Sequence, residues 1–305
     1  MSRLRSYAQL VRLPALPTAL ADICLGAVAA GALPRHFVPF LFLMLASGCL
    51  YCAGMVWNDF FDLDQDTRER PFRPLPSKQV TPRAAGRLGL GLLAAGVCFA
   101  CLAGLTHPPG AEVNPYLSPA LALLLVSAIL LYDRWLKRTW LGPVGMGTCR
   151  FLNILLAVSA SGTLPGLGFH LALIVGLYIV GVTWFARTEA RRSNPVALGG
   201  AGLTMLLSLI LALPLPAAYV EPGQSSPLFP YLLVALGFIV GIPVCKAIAK
   251  PVPENVQAGV KRALFSLILL DAILASAFIG SVGLLILLLL TPTLYLNRKR
   301  WLYAT

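Results

Sequence analysis

The chain has 305 residues, of which 58% are hydrophobic and 12% charged, with a formal net charge of +12 and a mean hydropathy of +0.79. Soluble domains carry about 25% charged residues, so this composition excludes an ordinary water-soluble globular protein. A nucleic-acid binder is excluded too, because the basic residues are distributed by membrane side rather than gathered into a patch.

In chain order, apolar runs at 14–33, 37–57, 84–105, 116–132, 143–160, 168–186, 196–219, 228–248, 262–280 and 281–297 predict ten membrane spans. Each is close to the roughly 20 residues needed to cross a bilayer. The first run lacks the small-residue cleavage pattern of a signal peptide and reads as a retained helix. The last two form one apolar stretch, divided on the strength of Gly280 and Gly283 as a turn. With the N-terminus inside, every basic residue except Arg35 falls on the cytoplasmic side, as the positive-inside rule requires. The expectation is an integral membrane protein of a bacterial plasma membrane with a cytoplasmic N-terminus. No linker or low-complexity tract divides it, so residues 1–305 are expected to form one transmembrane domain.

The cysteine pairs Cys49/Cys52 and Cys98/Cys101 lie within apolar runs and read as small residues that let helices pack closely. None of the three histidines has a partner at metal-ligand spacing. Two polar loops on the inner side stand out, 58–83 and 187–195, four spans apart.

The first loop opens with Asn58-Asp59-Phe60-Phe61-Asp62-Leu63-Asp64-Gln65-Asp66, four of the twelve acids of the chain within eight residues. If the second span continues as a helix turning about 100° per residue, Asn58, Asp59, Asp62 and Asp66 share one sector and Asp64 points away. Like charges at this spacing repel, so the arrangement calls for a cation. Oxygen-only ligands suit Mg²⁺, which bridges carboxylates to substrate phosphates. Arg70, Arg73 and Lys78 follow, among prolines that end the helix. Carboxylates for a metal followed by guanidinium groups for phosphate oxygens make a diphosphate site. A calcium EF-hand loop is ruled out, since Thr67 stands at its glycine position and Arg73 at its glutamate position.

The pattern Asn58-Asp59-x-x-Asp62-x-x-x-Asp66, followed by Arg70-Pro-Phe-Arg73-Pro-Leu-Pro-Ser, resembles the first motif of the UbiA superfamily of intramembrane prenyltransferases. Tyr132-Asp-Arg-Trp-Leu-Lys137-Arg138 is similar to the family's tyrosine and lysine segment, and the helix with Arg150 and Asn153 is similar to its fifth. The resemblance implies an all-α bundle of nine to ten helices around a central cavity. It also implies transfer of an isoprenyl group from an isoprenyl diphosphate to a lipophilic acceptor, with Asp59, Asp62 and Asp66 holding Mg²⁺. Lys137, Arg70, Arg73, Lys78 and Arg192 would then stabilise the leaving diphosphate, with Asn58 and Tyr132 beside them.

The second loop departs from the family. Where Asp-x-x-x-Asp is usual, it reads Arg187-Thr-Glu189-Ala-Arg191-Arg192-Ser-Asn-Pro. Only Glu189 can bind a metal there. With the Arg-Leu-Pro-Ala-Leu-Pro-Thr opening of the first helix, this loop resembles the EboC-like branch. It also raises the alternative of a carrier for isoprenoid diphosphates without catalysis. Asp22, Asn153 and Asp271 lie within spans, where ionisable groups mark a pathway or site. They are expected to line the cavity and orient the acceptor, while Arg150 reaches the diphosphate.

Overall fold

The computed structural model describes residues 3–107, 113–189, 192–221, 223 and 225–298. Among these, no residue is in a strand. A chain this apolar cannot leave backbone groups unpaired in lipid, and helices satisfy them locally. Proline in the first turn, where no intrahelical partner is lost, starts α5 (Pro82–Leu105), α7 (Gly142–Val158), α9 (Pro195–Ala212) and α12 (Pro253–Ile279). The Thr81 and Asn194 side chains accept from the first free backbone N–H groups of α5 and α9.

Eight helices among the described residues are long and apolar enough to cross a membrane. The count rises to nine when α1 (Arg3–Leu10) and Leu13–Ala29, bent by 48°, are taken as one span. α2 (Leu16–Ala29) is central and touches α3 (Phe37–Phe61), α7 and α12. α3 packs along α5, which meets α6 (Leu117–Arg134). α7 packs on α8 (Gly166–Ala186), α8 on α9, and α11 (Phe229–Ala249) on α12. The short α4 (Leu63–Glu69) and α10 (Leu215–Tyr219) cap opposite turns.

Gly26 permits the close approach of α2 to α7, since a Cβ there would lie 2.3 Å from the Ala157 Cβ. Large apolar side chains such as Leu124, Leu203, Phe238 and Ile242 are exposed around the outside. In water such a surface would be a liability; in a bilayer it is the solvent-matched face, and the chain is an integral membrane protein.

The C-terminal stretch turns at Gly280, where the sequence placed a turn, but the segment after it is not the regular α-helical span expected. Gly280, at φ +61°, ψ −151°, reverses the chain in a backbone region open to glycine. Residues Gly280–Leu289 then run as a 3₁₀ helix along α12, and α13 (Leu290–Arg298) reaches the 13–15 turn. By apolar length alone Pro253–Leu296 is one element of 44 residues; the reversal at Gly280 is what folds it in two.

A second, small core roofs the polar end of the bundle. Leu10, Val56, Leu75, Val80 and Ala85 are buried together there, and the Ser6 hydroxyl donates to Gln79 Oε1 at 2.8 Å. This fastens α1 to the loop that carries Arg73.

Candidate functional site

The acidic run sits where α3 gives way to α4. The helix pauses at Asp62 (φ −97°, ψ 8°), yet Asp62 N–H still donates to Asn58 O at 3.1 Å and Asp66 N–H to Asp62 O at 2.8 Å. The spacing read from the sequence therefore survives the break. Asp59 and Asp66 are buried at 5% and 4% exposure, Asp62 is half-buried and Asp64 is exposed, as the angular argument required.

Each of the three inward acids meets a cation. Arg73 Nη1 donates to Asp66 Oδ2 at 2.7 Å and lies 3.5 Å from Asp59 Oδ1. Arg12 Nη2 reaches the same Asp59 oxygen at 3.1 Å. Lys137 Nζ donates to Asp62 Oδ2 at 2.7 Å, to Asn58 Oδ1 at 3.2 Å and to Asn58 O at 3.3 Å. Arg138 Nη2 adds a contact to Asp62 Oδ1 at 3.4 Å. Asp133, 3% exposed, lies within electrostatic reach of Lys137, Arg12, Asp62 and Asp59. Part of the positive charge that the acidic face calls for comes from the chain itself: four basic side chains neutralise it from three other segments.

The donor set nevertheless fits magnesium. Among the described residues no three His, Cys, Asp or Glu side chains form a ready metal cage, so the expected trio of Asp59, Asp62 and Asp66 does not converge as one. Magnesium needs less than that, typically one or two carboxylates together with substrate phosphates and water. The Lys137 ammonium marks a point where carboxylate, amide and carbonyl oxygens of Asp62 and Asn58 already meet around a positive charge.

A cavity of about 330 Å³ opens beside Lys137, lined also by Tyr132, Gly142, Pro143, Thr183 and Arg187. Glu189 is half-buried; burial pushes its carboxyl above the usual range while the Arg70 charge pulls the other way. Arg192 and Lys78 are exposed, and among the described residues no ion pair joins either to the aspartates. Arg191 lies outside the described residues.

Arg150 goes elsewhere than expected. Its Nη1 donates to Asp22 Oδ2 at 2.9 Å and its Nη2 to Thr18 Oγ1 at 2.8 Å, away from the acidic run. Asn153 Nδ2 donates to Asp22 Oδ2 at 2.8 Å and to Ala19 O at 3.1 Å, and Ser47 Oγ donates to Asn153 Oδ1 at 2.8 Å. Asp22 and Asp271 have no exposed surface. Ser47 and Asp59 are twelve residues apart on α3, about 18 Å at 1.5 Å per residue. This group ties α2, α3 and α7 together well below the acidic run.

Sequence reasoning did not name Arg12, Arg138 or Asp133 as site residues, although the Tyr132-to-Arg138 segment it singled out contains the last two. Arg12 has a left-handed backbone (φ 48°, ψ 50°), which costs a non-glycine residue about 1–3 kcal/mol and turns its guanidinium towards Asp59. The available signal was its place immediately before Leu13-Pro14. For Asp133 it was its place directly after Tyr132 in the segment that also carries Lys137.

Fold and site together define a polytopic helical membrane protein with a charged, oxygen-rich mouth at one end of its bundle. Residues 16–258 match the UbiA prenyltransferase family, and the chain belongs to that family. It is 34% identical over 97 residues to digeranylgeranylglyceryl phosphate synthase of Methanopyrus kandleri, covering 32% of this chain and 35% of that one. With protoheme IX farnesyltransferase 1 of Cenarchaeum symbiosum it shares 27% over 204 residues, covering 65% and 64%. The chain thus spans between about a third and just under two thirds of the length of these relatives. The structure of a UbiA homologue from Archaeoglobus fulgidus bound to GPP and Mg²⁺ superposes with a TM-score of 0.60 at 14% identity, covering 86% of this chain and 99% of that one. That likeness establishes the fold.

Proposed function

We propose that this chain, as a single transmembrane domain, transfers an isoprenyl group from an isoprenyl diphosphate to a lipophilic acceptor within the membrane, with Mg²⁺ as cofactor. The observation that carries the reading is the convergence of Asp62 Oδ2, Asn58 Oδ1 and Asn58 O on the Lys137 ammonium, beside a cavity that Lys137 also lines. A lysine that bonds a carboxylate at a cavity mouth has three N–H donors and is placed to offer them to phosphate oxygens in the cavity.

Asp62 and Asn58, with Asp59 adjacent, would hold the Mg²⁺. When bound, that ion supplies Lewis-acid stabilisation of the diphosphate's charge. Arg73 keeps Asp59 and Asp66 oriented through its shared guanidinium. Lys137 and Arg12 are placed to bind phosphate oxygens and to stabilise the charge that grows on them as the bond from the isoprenyl C1 to oxygen breaks. The isoprenyl carbon joins the acceptor, a proton leaves the acceptor, and diphosphate departs towards the polar end. The apolar bundle excludes water from the reacting carbon. The charge distribution supports a cytoplasmic N-terminus, and we assign the chain to a bacterial plasma membrane.

Asp62→Asn should abolish transfer from radiolabelled geranylgeranyl diphosphate to membrane lipid while leaving expression and membrane insertion intact. Full activity in that variant would refute the assignment. The carrier reading draws on Glu189 as the lone carboxylate of the 187–195 loop. Stoichiometric binding of the isoprenyl diphosphate with no diphosphate release would favour it.

A further inference from the structure

We propose that the cavity lined by Lys137, Arg187 and Tyr132 is a metal-independent anion subsite, which takes the outer phosphate of the diphosphate directly through Arg187 rather than through a second metal ion. The inference rests on the diphosphate reading of the neighbouring acidic run and adds to it a residue, a ligand position and a metal stoichiometry.

Four features of the cavity point the same way. No carboxylate is among its lining residues. Among the described residues Arg187 is held by main-chain carbonyls, with Nη2 donating to Thr139 O at 2.9 Å and Nη1 to Trp140 O at 3.3 Å. Those contacts fix the guanidinium without neutralising it, and a guanidinium has five N–H donors, so others stay available to a ligand. The third feature is the start of α7. Gly142 and Pro143 line the cavity in the first turn of a 17-residue helix; Pro143 has no N–H and the Gly142 N–H donates to Thr139 O at 3.2 Å, so this end offers an anion the partial positive charge of the helix rather than a free donor. The fourth is Lys137 itself, which lines the cavity and reaches Asp62 at 2.7 Å, so one ammonium joins the two halves of the site. The hydroxyls of Tyr132 and Thr183 can donate to the same ligand.

The loop that carries Arg187 offers little to a metal. Glu189 is its only acid; it is influenced by Arg70 and does not line the cavity. The charged side chains that converge here are both cationic, which is the chemistry of a phosphate site, and they outweigh the carbonyls that the last turn of α8 brings to the same cavity.

The test uses the purified full-length protein in detergent and inorganic diphosphate as the probe, followed by calorimetry in EDTA and in Mg²⁺. The wild type should bind diphosphate in EDTA, and Arg187→Ala should weaken that binding about tenfold or more. Arg187→Lys should restore part of it, and one Mg²⁺ should bind per diphosphate when metal is supplied. Arg187→Gln and a thermal scan separate lost contacts from lost folding. Lys250→Ala, an exposed charge on another loop, should change nothing. Undiminished metal-free binding in Arg187→Ala would overturn the subsite, as would equal weakening in Lys250→Ala or two Mg²⁺ per diphosphate. Binding that needs Mg²⁺ and Asp62 but ignores Arg187 would remove the subsite and leave the proposed function standing. Metal-free binding through Arg187 without prenyl transfer would uphold the subsite and remove the transferase reading. No diphosphate binding under any condition would end both.

Discussion

Arg73 shows how a single side chain organises the mouth of the bundle. Its side chain is 9% exposed and lies between Asp66 at 2.7 Å and Asp59 at 3.5 Å, both carboxylates being more buried still. Removing one partner of a buried ion pair leaves uncompensated charge and costs about 3–5 kcal/mol. Arg73→Ala should therefore lower the thermal midpoint clearly, whereas loss of Lys78, exposed on the same loop, should fall within about 0.5 kcal/mol. Thermal unfolding of the two purified variants, followed by tryptophan fluorescence, checks the contrast. The aspartates themselves were legible in the sequence because their four-residue period survives a helix break. Their partners were not. Arg12 lies 47 residues from Asp59 and Lys137 lies 75 from Asp62, and no local pattern encodes which cation crosses such a distance. The same limit explains Arg150, whose register near the inner mouth suited a diphosphate but whose neighbours across α2 are Asp22 and Thr18.

Between elements, the end of the bundle opposite the acidic run carries a contact that no spacing announced. His107 Nδ1, just beyond α5, lies 3.3 Å from His36 Nδ1, just before α3. Burial lowers the affinity of His36 for a proton, with Arg35 adding to the effect; burial does the same for His107, with His36 adding to it. A histidine whose folded-state pKa is depressed binds fewer protons folded than unfolded, so stability is lost as pH falls through the ordinary histidine range near 6.5. The thermal midpoint should drop between pH 7.5 and pH 5.5, and His107→Gln should flatten that slope. A slope unchanged by the substitution would show that the pair does not set it. The helices joined by this contact were visible as apolar runs. The contact between their ends depends on how α3 packs along α5, which is a property of two surfaces rather than of either run.

For the whole molecule, orientation is the property closest to composition. With all basic residues but Arg35 assigned to one side, single cysteines placed at Arg35 and at Lys78, both exposed, should react from opposite faces of the membrane in a background lacking the seven natural cysteines. Labelling of cells with an impermeant maleimide should reach position 35 and spare position 78; the reverse pattern would invert the topology. The C-terminal stretch shows where whole-chain reading stops. Residues 263–296 are apolar throughout; Gly280 and Gly283 marked the turn, but hydropathy has no feature that announces a 3₁₀ helix after it.

By itself the sequence determined the solvent, the helical class, the number of apolar runs to within one or two, and the four-residue acidic face. These follow from composition and from a helical period that acts over neighbouring residues. The tertiary structure alone decided which cations neutralise the aspartates, that Asp22, Asn153 and Arg150 bind one another, and that Arg187 lines a cavity with Lys137. Those outcomes depend on the relative placement of helices far apart in the chain, which is fixed by close packing at positions such as Gly26 and by a reversal at Gly280, and such packing is a sum over surfaces that no single segment contains.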